Sequence, residues 1–219
     1  TSESIQMKKI LLVATMLLTG CAITPPARVA PTVYDLGLLQ PADASVLSGQ
    51  PQLTASLLVT EATAPTWLDS QAIQYRLAYH DAAQAHAYAN SRWAAAPAAL
   101  LTQRIRSRIA AVVGNGVVSA SDGVRADYVL RLGLEEFSQV FDTVEQSRVV
   151  VRLRVSLVER GTRRLLAQRS FSVEQAAPTA DAVGAVHALS EAGDRLTGDL
   201  IDWLAAKLAE EGKKAAKRD

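Results

Sequence analysis

The sequence predicts an α+β fold, a single domain with an antiparallel or mixed sheet and two helices packed on one face. Three observations predict it. Residues 149–157 alternate apolar and polar side chains, and a short Glu-Arg-Gly-Thr-Arg turn leads into a second run, residues 165–173. That link is too short for a crossover, so the pair is antiparallel. After Pro97, Leu101, Ile105, Ile109 and Val112 recur at helical spacing, and residues 180–209 carry a longer stripe of the same kind through Val186, Leu189, Leu196, Leu200, Trp203 and Leu204. Hydrophobic residues make up 49% of the 219, enough to close one core.

The elements follow in order. Ordered structure is expected to begin near Val33-Tyr34-Asp35-Leu36-Gly37. Residues 53–59 and 72–78 are candidate strands, the second with Ile73, Tyr75 and Leu77 on one side and Gln74 and Arg76 on the other. Residues 63–70 between them form a Pro/Thr loop carrying Trp67, and residues 85–90 are a hairpin partner for the preceding strand. Pro97 opens the first helix, where its missing N–H costs nothing, and Gly114-Asn115-Gly116 stops it. From Tyr128 to Leu134 the even positions are apolar. The parity then changes at Glu135-Glu136 before Phe137, which predicts a bulge. Gly193 is tolerated inside the last helix, and the charged run 210–219 reads as a disordered tail.

The first 32 residues have another character. Met7-Lys8-Lys9 gives a positive start and Ile10 through Leu18 a short apolar run, below the ~20 residues that cross a bilayer. Residues 1–20 are therefore expected to be a signal peptide region, with its start at Met7. Leu18-Thr19-Gly20-Cys21 has the form of a bacterial lipobox, in which the cysteine is acylated after cleavage before it. Cys21 is the only cysteine, so it has no disulfide partner in the chain. Several acyl chains on one residue, palmitate among them, anchor firmly because each buried methylene adds about 0.8 kcal/mol. Ala22, in place of an aspartate, directs the expectation to the outer membrane. Residues 21–32, the lipidated cysteine and three prolines, read as an anchor and extended tether.

Net charge is +1 and aromatics are 5%, which gives nucleic acid neither a basic field nor a stacking platform. There is no Gly-x-Ser-x-Gly elbow, no phosphate-cradling glycine loop and no His-Glu-x-x-His. His80 and His86 stand six apart, which is not a metal-ligand spacing. The reading is a non-enzymatic chain with no cofactor and no metal. Surface candidates remain. Arg104, Arg106 and Arg108 lie off the first helix's apolar stripe, and Arg152 and Arg154 lie on the polar side of a strand. They form either a basic face for headgroups or an acidic partner, or simply solvated faces. Trp67 is the best-exposed aromatic, a residue type enriched at interfaces.

The lipobox, Tyr34-Asp35-Leu36, Ile73-Gln74-Tyr75-Arg76, Tyr88, Trp93 followed by Pro97 and a helix, then Ala126-Asp127-Tyr128-Val129-Leu130 and Phe137, occur in an order that resembles the ABC-type transport auxiliary lipoprotein family. The resemblance covers residues 33–209. One departure is Trp-Ala-Ala-Ala-Pro at 93–97, where the family more often has a proline pair. The resemblance implies an outer-membrane lipoprotein facing the periplasm. It would dock the far end of a mammalian-cell-entry type lipid transport system, whose partners are a mammalian-cell-entry protein and an ABC transporter, with self-association into a homo-oligomer as a further implication. Two other readings stand beside it: a carrier lipoprotein with a lipid or hydrophobe pocket of its own, and a free-standing structural lipoprotein.

Overall fold

A computed structural model describes residues 30–38, 55–112, 117–118 and 125–217. The signal region, Cys21 and the tether up to residue 29 lie outside these residues, as do Leu53 and Thr54 of the first expected long strand. The elements are β1 (Thr32–Tyr34), β2 (Leu57–Val59), β3 (Ala72–Leu77), β4 (Asp81–Trp93), α1 (Pro97–Val112), β5 (Val117–Val118), β6 (Tyr128–Phe141), β7 (Ser147–Glu159), β8 (Leu165–Ala176) and α2 (Ala182–Ala216). The fold is α+β with a mixed sheet, as the sequence predicts.

The sheet is built around β6. On one side β6, β7 and β8 form an antiparallel meander, paired from Tyr128↔Glu159 to Phe141↔Ser147 and from Arg148↔Ala176 to Val158↔Leu165. The parity change at Glu135 is a register shift between Leu134 and Glu136, so Leu134 and Phe137 both reach the core side. The other side of β6 takes two short parallel strands, β2 at its start and β3 at its end. Thr63 bridges to Gly133 between them. β4 turns back antiparallel on β3, and β1 lies parallel to the last residues of β4, from Thr32↔Ser91 to Tyr34↔Trp93. Thr32, expected as the last tether residue, thus opens the first strand. β4 is also longer than the expected 85–90, because Ala83 N–H bonds to the Asp81 carboxylate at the turn and pairing starts there.

Both helices cover one face. Val149, Val151, Leu153, Val155 and Leu157 of β7 point towards them, and all five are fully buried. Each such side chain contributes about 1.5–3 kcal/mol by leaving water. α2 brings Leu189, Leu196, Leu200 and Leu204 to this core, and Trp203 meets Phe171 edge-on at 5.8 Å. α1 brings Leu101, Ile105 and Ile109, while Trp93 packs on Phe137 at 5.6 Å. Gly193 of α2 lies where a Cβ would stand 3.5 Å from Leu101, so the two helices approach closely there. Two buried hydroxyls are satisfied on the helices. Thr102 Oγ1 donates to the Ala98 carbonyl (2.7 Å) and accepts from Ala62 N–H (2.9 Å), which ties the segment after β2 to α1; Thr197 Oγ1 donates to the Gly193 carbonyl (2.7 Å).

The run from residue 210, expected to be disordered, continues α2 to Ala216. Alanine, glutamate and lysine favour helix, and the pairs Lys207–Glu210 (2.9 Å) and Lys214–Glu211 (2.6 Å) reinforce it. Glu211 also meets Arg164 from the β7–β8 turn at 3.3 Å, a contact that no local pattern announces.

The start of α2 carries a cap that makes its own prediction. Asp181 accepts from Gly184 N–H (2.8 Å) and from Thr179 Oγ1 (2.7 Å), and these bonds hold its carboxyl below the ordinary carboxylate range, with the Gly184 bond the largest cause. A Cβ on Gly184 would stand 2.1 Å from the Thr179 carbonyl oxygen, a backbone atom that cannot step aside. Gly184→Ala, which helix propensity alone would score as stabilising by ~1 kcal/mol, is therefore expected to destabilise by about 1–3 kcal/mol in urea unfolding. Asp181→Ala is expected to cost about 1 kcal/mol. Because the folded-state pKa of Asp181 is depressed, its contribution is complete above the unfolded-state value of about 3.9 and is lost as pH falls through the folded one. Asp181→Asn is accordingly expected to lose less stability than the parent between pH 5 and pH 3, as read by thermal unfolding.

Candidate docking surfaces

The surface residues picked from the sequence divide among three places. Arg104 is not a surface residue: it is 7% exposed, turned between the helices. Its Nε donates to Asp194 Oδ1 and one terminal nitrogen to Oδ2, both at 2.8 Å, a bidentate pair. Its other terminal nitrogen donates to the Gly37 carbonyl (2.8 Å), and Ser190 Oγ, itself 3.3 Å from Arg104, donates to the Leu36 carbonyl. One guanidinium thus fastens α1, α2 and the segment after β1. That segment is shaped to be held, since Gly37 has φ 74°, its N–H bonds to Asp35 Oδ1 (2.7 Å), and Leu36 is buried. Arg108 sits at the rim of the same cluster, 3.6 Å from Asp194. Arg106 turns the other way, donating to the Val59 carbonyl (2.9 Å) and meeting Glu61 at 3.3 Å. Helical spacing places Arg104 off the α1 stripe but cannot show that α2 closes over that side. Burial follows from an aspartate 90 residues away in sequence.

Arg152 and Arg154 are exposed on the face of β7 opposite the helices, as strand alternation requires. Arg154 is paired with Glu135 of the bulge, and Arg152 stands across from Glu136 and Ser172 in the ladder. A shallow cleft of about 300 Å³ runs past Arg154 between Pro65 and Ser156. Trp67 is half-buried rather than fully exposed. The Arg76 guanidinium lies 5.1 Å over its ring, and Gln74 Nε2 donates to its carbonyl (3.3 Å), so the loop is pinned to β3. Arg104 and Arg108 therefore share one cluster on the helix side, Arg152 and Arg154 share the open sheet face, and Trp67 stands apart with Arg76.

Polar groups missed by sequence reasoning form a chain inside the helix-side face. Tyr88 donates to Gln139 Oε1 (2.6 Å), and Gln139 Nε2 donates to Ser147 Oγ (2.8 Å). Burial, with Asp181 and Tyr75 adding, pushes the Tyr88 phenol far above its ordinary value, so it stays a donor at any physiological pH. His86 stacks on Tyr75 at 5.1 Å, and His187 pairs with Glu191 at 3.4 Å. Among the described residues no three His, Cys, Asp or Glu side chains gather as a metal set, and no helix is long and apolar enough to cross a membrane.

A mixed sheet backed by two helices, with Arg104, Arg106 and Arg164 tying separate elements together, defines an α+β domain. Solved structures share it. The protein XCC0632 from Xanthomonas campestris aligns with a TM-score of 0.69 at 19% identity, over 83% of this chain and 99% of that one. An uncharacterized protein aligns with a TM-score of 0.59 at 18% identity, over 80% and 99%. These likenesses establish the fold. No curated protein matches the chain by sequence. The family model of the ABC-type transport auxiliary lipoprotein component matches residues 34–200, and the chain belongs to that family.

The Arg104 cluster generates a prediction on stability. Arg104→Ala leaves Asp194 without its bidentate partner and the Gly37 carbonyl without a donor. The expected loss is about 2–3 kcal/mol, less than for a fully buried pair because Asp194 stays one-third exposed. Arg104→Lys is expected to recover only a minor part, since an ammonium cannot make the planar double contact. Denaturant midpoints of the two variants check both expectations.

Proposed function

We propose that this protein is the lipid-anchored auxiliary subunit of a lipid-transporting ABC system of the mammalian-cell-entry type, held through Cys21 at the periplasmic face of the outer membrane. Its task there is non-enzymatic, to dock and steady the component that bridges from the inner-membrane transporter. The observation that carries this reading is the family match over residues 34–200, which is nearly all of the folded chain and follows directly on the lipobox and proline tether.

The architecture supports docking over carriage. The larger described clefts each have arginines or carboxylates in their linings, whereas a carrier of free lipid needs a deep, mainly apolar cavity. The sheet also ends in strands suited to self-association. Among the described residues, 82–90 of β4 have β3 on one side only, and β8 pairs with β7 alone.

Two experiments test the reading. Labelling cells with an alkyne analogue of palmitate is expected to tag the parent and not Cys21→Ala, which should appear folded but released from the membrane fraction. Retention of Cys21→Ala at the membrane through its own sequence would sink the anchor. Affinity purification of the parent is expected to bring down a mammalian-cell-entry protein; a transport complex that assembles and works without this subunit would remove the docking role.

A further inference from the structure

Exposed apolar side chains gather at one end of the domain. Leu77 pairs with Phe141, Phe141 with Ser147 and Arg148 with Ala176, so the β3–β4 turn, the β6–β7 turn and the end of β8 share that end, with the start of α2 just after. It carries Tyr79, Val144 and Val183, which are 48%, 71% and 59% exposed. Backbone bonds hold the tips in place. Ala78 N–H donates to the Phe141 carbonyl (2.9 Å) and joins the two turns, while the Asp142 and Thr143 N–H groups both donate to the Gln146 carbonyl (3.0 and 3.2 Å). Val144 therefore stands at the tip of a closed turn, a place where turn chemistry alone favours a polar residue.

The chain enters β1 from the side of these turns. β4 starts at this end with Asp81, and β1 runs parallel to it from Thr32↔Ser91, so the chain reaches β1 heading away from the turns. The 11 residues 21–31 separate Cys21 from β1. Fully extended they reach about 36–40 Å, and the rise of β4 from Asp81 to Ser91 is ~34 Å. A lipid on Cys21 can thus bring the turns down to a membrane with little slack. The opposite end differs in charge. The β7–β8 turn and the last turns of α2 place Arg125, Arg160, Arg163, Lys213 and Lys214 there. At the turn end Asp81, Asp142, Glu145, Glu174 and Asp181 outnumber Arg76 and Arg148. A strongly anionic bilayer would draw the basic end, whereas a neutral one leaves the apolar tips to decide.

We propose that the turns carrying Tyr79 and Val144, with Val183 of α2, rest on a zwitterionic lipid surface and set the orientation of the anchored domain. The proposal rests on the reading of Cys21 as a lipid anchor. Tyrosine favours the headgroup level, where its ring is buried and its hydroxyl stays wet. Valine gains by leaving water. Three such side chains do not hold a free protein at a membrane. The anchor already confines the domain there, so the contact has only to choose among orientations. In the chosen one the strands stand steeply on the membrane, and the basic end points away from it.

The test uses the full lipidated chain in phosphatidylcholine vesicles, with one cysteine introduced at a time for a fluorescent label; an acylated Cys21 does not react. Tyr79→Cys and Val144→Cys report on the turn end. Gly161→Cys reports on the opposite end, at a position where a Cβ meets nothing within 4 Å, and controls for the apolarity of the label itself. Labels at 79 and 144 are expected to be roughly threefold better shielded from acrylamide than the label at 161. Adding phosphatidylglycerol to the vesicles should reduce that shielding. The double variant Val144→Asp/Val183→Asp should abolish shielding at 79 with membrane retention and thermal midpoint unchanged. Retention is read separately from shielding, so failure of the anchor and failure of the orientation are told apart. Equal exposure of the three labels, better shielding at 161, shielding that grows with phosphatidylglycerol, or shielding at 79 that survives the double variant would overturn the proposal.

Discussion

Everything in this fold depends on the long apolar face of α2 being laid across the β6–β7–β8 meander. Leu189, Leu196, Leu200 and Leu204 meet alternate residues of β7 that are themselves fully buried, and Trp203 meets Phe171 at the far edge. Because strand side chains alternate, committing one face of β7 to the helix commits the other to water. This single burial decides where the core lies, where α1 can fit beside α2, and which arginines remain on the open side.

The ion pairs are consequences of that packing. Once α1 and α2 approach at Gly193, Arg104 is largely withdrawn from water and is satisfied by Asp194, Ser190 and the Gly37 carbonyl. A buried guanidinium of this kind adds less net stability than it adds definition, since desolvation offsets much of its attraction. Its geometry fixes the spacing of three chain segments. On the open face Arg148 and Arg154 are paired with carboxylates, so strand alternation exposes these guanidiniums without leaving them unpaired.

Local chemistry made much of the architecture legible. Pro97 and the stripe from Leu101 to Val112 set α1, the parity change at Glu135 marked the bulge, and the Glu159–Arg163 turn fixed the β7–β8 pairing. Non-local chemistry was hidden. The parallel pairing of β2 and β3 on one side of β6 depends on chain paths through other elements, and the burial of Arg104 depends on Asp194. Of the candidate surface, alternation correctly exposed Arg152 and Arg154, while Trp67 was covered by Arg76, whose position follows from β3 pairing. Tyr79, Val144 and Val183 share one end only because the strand register aligns their turns, so residue type alone gave no reason to group them.

β1 has a mechanical consequence. It runs parallel to the end of β4, and the residues just after it are latched by Arg104 and Ser190. A pull along β1 from its N-terminal side therefore shears its hydrogen bonds with β4 together rather than peeling them one by one, and passes the remainder through the Leu36 and Gly37 carbonyls into both helices. Tension applied from that side is spread over the helix pair, and the sheet edge does not carry it alone.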